Sequence, residues 1–138
     1  MAEKEKKEIK ESDKMEEELR TLFGQAESIR RQIATIDDTI LDLAAVVETL
    51  DYIKEHGKDK VVLVPIGAGN FVRARIIDTE KVIMGVGGRL SVEAGIEEAK
   101  KTLNERIATL ETLRLDLRRK LEEVNARIRE LVQEASSQ

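Results

Sequence analysis

The sequence predicts an α+β fold: a long antiparallel coiled-coil hairpin with two central β-hairpins that form an intersubunit β-barrel. Three observations lead there. Apolar residues in both outer thirds of the chain recur in heptads, whereas the middle, about 61–92, is β-branched and contains glycine. Charged residues make up 38% of the 138 and aromatic residues 2%, with one proline, a composition suited to long amphipathic helices rather than an aromatic-centred globule. The length suits a single domain.

The first eleven residues read as a charged tail, in which Ile9 is the one large apolar side chain. A helix is predicted over 12–56. Met15, Leu19, Leu22, Ala26, Ile29, Ile33, Ile36, Ile40, Leu43, Val47 and Leu50 follow one another in alternating steps of four and three, an unbroken seam over five heptads. It stops near His56, because Gly57 can take a left-handed C-cap conformation, and Lys54 and His56 suit the negative end of the helix dipole.

Between the helices the period changes from helical to strand-like. Residues 61–66 and 71–77 flank the turn residues Gly67-Ala68-Gly69-Asn70, giving a first hairpin. Asp78-Thr79-Glu80 turns the chain, and 81–86 and 89–92 flank Gly87-Gly88 in a second. Val72, Ala74 and Ile76 share one face of the second strand, and Val82, Met84 and Val86 share one face of the third. A thin coiled coil does not cover such faces, and isolated hairpins leave their edges open, so these strands are expected to pair with strands of other subunits. The last helix, 92–135, is expected to be capped by Ser91, with Glu93 in its first turn. Ile96, Leu103, Leu110, Leu117, Val124 and Leu131 recur every seven residues, with Ile107, Leu121 and Ile128 between them. Lys100 and Arg114 interrupt this second seam, where a polar residue fixes register. The connecting segment holds the two helices at high effective concentration, which favours pairing within one chain.

Several function classes are disfavoured. A net charge of −4 draws the chain to neither nucleic acid nor anionic lipid, and no stretch is apolar enough to span a membrane. With no cysteine and a single histidine, His56, thiolate chemistry and His-based metal or nucleophile sites have little to draw on. The absence of cysteine and of an apolar leader suits a cytoplasmic setting. Gly67-Ala68-Gly69 fails as a nucleotide loop: strand-like residues follow it, and no GK[ST] motif occurs. Adjacent carboxylates such as Asp37-Asp38 and Glu122-Glu123 lie on helix surfaces without a cleft. No catalytic residue, metal or cofactor is expected.

The stretch Val61-Val62-Leu63-Val64-Pro65-Ile66-Gly67-Ala68-Gly69-Asn70-Phe71-Val72, followed by Asp78-Thr79-Glu80-Lys81-Val82 and Val86-Gly87-Gly88, resembles the hairpin region of archaeal prefoldin alpha subunits. Two hairpins rather than one resemble the alpha class. The resemblance implies a non-enzymatic, ATP-independent holdase in which two alpha and four beta subunits join hairpins into a double barrel. Coiled coils then hold unfolded polypeptides and pass them to a group II chaperonin. It also implies an assembly surface of Val62, Val64, Ile66, Phe71, Val72, Ala74, Ile76, Val82, Met84, Val86 and Leu90. The client-binding tips would comprise Ile9, Met15, Leu19, Leu22 and Phe23 on one helix and Val124, Ile128, Leu131 and Val132 on the other. Seam packing is the alternative role for Met15, Leu19 and Leu22, while Phe23 lies one position past the seam. A filament, tether or adaptor with the same architecture is the alternative function.

Overall fold

A computed structural model describes residues 2–137. Helices α1 (Ala2–His56) and α2 (Ile96–Ser136) pack as a hairpin, and between them lie strands β1 (Val61–Gly67), β2 (Asn70–Arg75), β3 (Lys81–Gly87) and β4 (Leu90–Gly95). The chain divides into two compact units, one of residues 2–38 with 110–137 and one of residues 39–109.

In the first unit the heptad seam is the core. Ala26, Ile29, Ile36, Leu117 and Leu131 are buried, while Met15, Leu19, Leu22, Leu121, Val124 and Ile128 are half-buried. Arg114, the polar interruption of the second seam, donates from Nη1 to Asp37 Oδ1 at 2.8 Å. The helix starts at Ala2 and not at Ser12, so the charged tail is helical. The reason is the interleaving of its charges. Glu3 and Lys7, then Lys7 and Glu11, stand four apart, a spacing that supports a helix without a tertiary partner.

In the second unit Leu50, Ile96, Ala99 and Leu103 form a buried cluster, joined by Leu43, Val47, Ile53, Val82 and Met84. Ala99 is fully buried where the heptad reading put Lys100 in the seam. The lysine turns outward to Asp51 and leaves the small side chain against α1. Strand β4 runs through Gly95, so α2 begins at Ile96 rather than near Val92. Ser91 therefore pairs with Gly85, and Glu93 with Ile83, in the ladder instead of capping the helix. The Ile96 N–H is satisfied by the Glu80 carbonyl at 2.9 Å. At the other boundary Gly57 does not adopt a left-handed φ; Asp59 does, at 60°. Glycine is needed at 57 because an added Cβ would lie 2.5 Å from the Ile53 carbonyl oxygen.

The two hairpins repeat each other at an offset of twenty residues. Val61 pairs with Arg75 and Lys81 with Gly95; Pro65 pairs with Phe71 and Gly85 with Ser91. Both ladders slip at the same place, leaving Ile66 and Val86 unpaired as bulges beside Gly67 and Gly87. Both close through two residues of positive φ, Ala68-Gly69 and Gly88-Arg89, as primed hairpin turns demand. Asp78 Oδ1 accepts the N–H groups of Glu80 and Lys81 at 2.9 and 3.1 Å, forming the turn between the hairpins.

Candidate functional site

Two surfaces, one in each unit, carry most of the exposed apolar side chains; Leu41, Val46, Tyr52, Leu113 and Leu115 are exposed along the helices outside them. In the second unit the bonded strand pairs fix which residues share a face. Val62 faces Ala74 and Val64 faces Val72 on one side of the first hairpin; Val82 faces Ala94 and Met84 faces Val92 on the corresponding side of the second. The second hairpin lays Val82 and Met84 against its own helices, so these two residues of the expected assembly set sit in the core cluster. This corrects the expectation that the coiled coil leaves that face bare: Leu50 of α1 with Ile96, Ala99 and Leu103 of α2 forms the cluster on which Val82 and Met84 pack. Val86 does not join them, because the bulge breaks the alternation, and it remains exposed. Val64, Ile66, Phe71, Val72 and Leu90 are exposed, while Val62, Ala74 and Ile76 are half-buried.

The opposite faces add residues that strict alternation passed over. Leu63 is 64% and Ile83 78% exposed, and Val61 and Ile77 are open as well. The signal was present in 61–66, where apolar residues occupy both parities and so make both faces apolar. Such a surface, on two separate two-stranded sheets, is suited to receiving strands from another chain.

An ion-pair group ties the helices together in this unit. Lys54 bonds Glu97, and Lys100 bonds Asp51 and lies 3.8 Å from Glu97. The hydrogen bond from Lys54, reinforced by the charge of Lys100, holds the Glu97 carboxyl below the ordinary range. The hydrogen bond to Asp51 raises Lys100. The two N–H donors of Glu80 and Lys81 likewise lower Asp78.

In the first unit the nine candidate tip residues divide into four groups. Leu131 is 2% exposed and completes the seam. Met15, Leu19, Leu22, Val124 and Ile128 are half-buried along it. Phe23 and Val132, at 55% and 47%, present apolar area to solvent, each one position past a seam residue. Ile9, 61% exposed, stands apart from them: Met15 is the first half-buried side chain of α1, and every residue from 2 to 14 is exposed. With Asp37 opposite Arg114, Ser136 comes level with about Met15, so Ile9 lies on a stretch of α1 that has outrun α2. Arg127 bridges Glu18 and Glu130 beside the seam, at 3.1 and 3.0 Å. A shallow groove of about 470 Å³ follows the seam, lined by Gln25, Ser28, Gln32, Leu117, Lys120 and Val124. Ile29 and Glu123 complete the lining, so the groove offers amides, a hydroxyl, apolar groups and one charge of each sign, Lys120 and Glu123.

Among the described residues no group of histidine, cysteine and acidic side chains could hold a metal ion, and no helix is long and apolar enough to cross a membrane. Residues 22–138 match the family described as Prefoldin subunit. The chain is 39% identical to prefoldin subunit alpha 2 of Thermococcus kodakarensis over 130 residues, covering 94% of this chain and 92% of that protein. It is 36% identical to prefoldin subunit alpha 2 of Methanocaldococcus jannaschii, over 86% of this chain and 81% of that one. Among solved structures, the filamentous PFD of Methanocaldococcus jannaschii aligns with a TM-score of 0.76 and 35% identity, over 86% of this chain and 98% of its own. With two helices, two hairpins and these relatives along most of its length, the chain belongs to the prefoldin family of non-enzymatic chaperones, in the alpha-subunit class.

Proposed function

We propose that this chain is the alpha subunit of an ATP-independent holdase. Its hairpins join those of prefoldin beta subunits in an alpha2-beta4 hexamer, closing edge strands into a barrel. Its helix ends hold unfolded polypeptides and release them to a group II chaperonin. The observation that carries client holding is the open apolar area beside the seam of the first unit. Phe23 and Val132 are exposed there, next to Met15, Leu19 and Leu22, which are half covered as Ile33 is, while Leu131 is buried. Terminal turns open at low free energy, so small splaying exposes more of these residues. A binder of this kind offers several weak apolar patches that fit no particular sequence, and methionine and phenylalanine supply adaptable contact area. Several arms in one assembly then hold by avidity.

The test joins two readings of one preparation. Phe23→Ser with Val132→Ser is expected to leave the oligomer unchanged in native mass spectrometry and to weaken suppression of aggregation of a heat-unfolding enzyme. Undiminished suppression with both residues replaced rejects the tip as the holding surface.

A second reading is favoured by the likeness to a filamentous assembly: the same hairpins join copies of this chain into an open-ended polymer. Native mass spectrometry and electron microscopy of the chain alone, then with a beta subunit, separate the two. A ladder of homo-oligomers supports the filament, and a stable six-subunit species formed only with the beta subunit supports the hexamer.

A further inference from the structure

We infer that the two hairpins of this chain are complementary to each other, so that the first hairpin of one copy docks on the second hairpin of another copy, with Arg73 of the one set against Glu93 of the other. This deepens the self-assembly reading and rests on it. The argument starts from the twenty-residue repeat. Arg73 opposes Leu63 in the first hairpin, and Glu93 opposes Ile83 at the equivalent place in the second. At this equivalent place the two hairpins therefore carry opposite charges beside the same kind of apolar residue, although the second also carries Lys81 and, in its turn, Arg89. Arg75 adds a second cation to the first hairpin, whose strands contain no acidic residue.

The chain leaves these charges to a partner. Among the described residues, neither Arg73 nor Arg75 nor Glu93 forms an ion pair within its own chain, while Leu63, Phe71 and Ile83 are more than half exposed beside them. The other face of the second hairpin is already taken by its own core through Val82 and Met84, which leaves the Ile83 and Glu93 face as the open one. Lys81, the cation on that face, sits beside Asp78. Like would meet like badly, since two copies of the first hairpin would bring arginines together. Unlike surfaces bring Arg73 to Glu93 and Leu63 or Phe71 to Ile83. A contact between different patches of identical chains is heterologous: it propagates unless its rotation closes a ring.

Two charge-reversal variants of the full chain test this. One carries Arg73→Glu and Arg75→Glu, the other Glu93→Lys; circular dichroism first establishes that both keep the wild-type helix content. Native mass spectrometry then follows assembly against concentration. The wild type is expected to form homo-oligomers. Each variant alone is expected to need at least about tenfold more protein for half-assembly, and an equimolar mixture to recover, because the acidic first hairpin of one variant meets the basic second hairpin of the other. Wild-type oligomers with unaffected variants overturn the inference while sparing the self-assembly reading, as do weakened variants that do not rescue each other. A wild type that stays monomeric at every concentration overturns both.

Discussion

At the scale of single residues, backbone conformation sets clear expectations. Ala68 and Arg89 sit at φ of 50° and 62°, where a Cβ is strained. Ala68→Gly relieves that strain at some cost in unfolded-chain entropy and is expected to stabilise the chain by about 0.5–1 kcal/mol. Gly69→Ala at φ 78° should destabilise it by a similar amount. Thermal melts of the two variants check both, and equal melting temperatures would contradict the turn geometry. In the core, Leu103→Ala removes a buried side chain from a cluster only one layer thick and is expected to cost about 2–4 kcal/mol by chemical denaturation. Ala99, fully buried in the same cluster, has no room for a larger replacement.

At the scale of elements, the helices separate into stretches that stability depends on and one that it does not. Residues 2–14 bury no side chain, so deleting them is expected to lower helical circular dichroism while shifting the melting temperature by less than about 2 °C. A large drop would mean that this stretch packs on something. The ion-pair group of Lys54, Glu97, Lys100 and Asp51 links the end of α1 to the start of α2 and gives stability a pH window. Glu97 and Asp78 have lowered pKa values, so their contribution is complete above the usual carboxylate range and fades as pH falls through their folded values. Lys100 is raised, so its contribution is complete below the usual lysine value and fades as pH rises through the higher folded one. Melting temperature is thus expected to be flat across neutral pH and to fall at both extremes, with Lys100→Met abolishing this lysine's share of the alkaline fall. The first seam and the first turn could be read in the sequence because period and turn chemistry are local. The second turn closes at Gly88-Arg89 rather than Gly87-Gly88, because the bulge at Val86 shifts the ladder by one residue, and Ala99 takes the seam place expected for Lys100. The start of α2 could not be read: whether 92–95 continue a strand depends on the Lys81–Gly95 pairing, a contact that pattern alone does not specify. Nor could the choice of Asp37 as partner of Arg114, since several carboxylates on α1 were available until the two helices took their register.

At the scale of the molecule, the hairpins and the helix ends each carry exposed apolar residues and share none of them, so under the proposed function assembly and client holding are separable in one direction only. The strand faces were expected to need cover from other subunits; the chain itself covers Val82 and Met84, and Val64, Ile66, Phe71, Val72, Val86 and Leu90 are open. Each helix end offers few apolar groups, so the proposed function requires that one arm bind weakly and that strength come from several arms on one platform. Leu63→Glu with Ile83→Glu places charges on both open hairpin faces without touching the buried cluster of Leu50, Ile96, Ala99 and Leu103. This variant is expected to keep its helix content, to run as a monomer, and to lose at least about tenfold in suppression of client aggregation per chain, although every helix-end residue is intact. Replacing Phe23 and Val132 should do the reverse, weakening suppression with assembly preserved. If the monomeric variant protects a client as well per chain as the assembly does, avidity is not the source of holding, and a single arm must bind far more strongly than Phe23, Val132 and a half-covered seam allow.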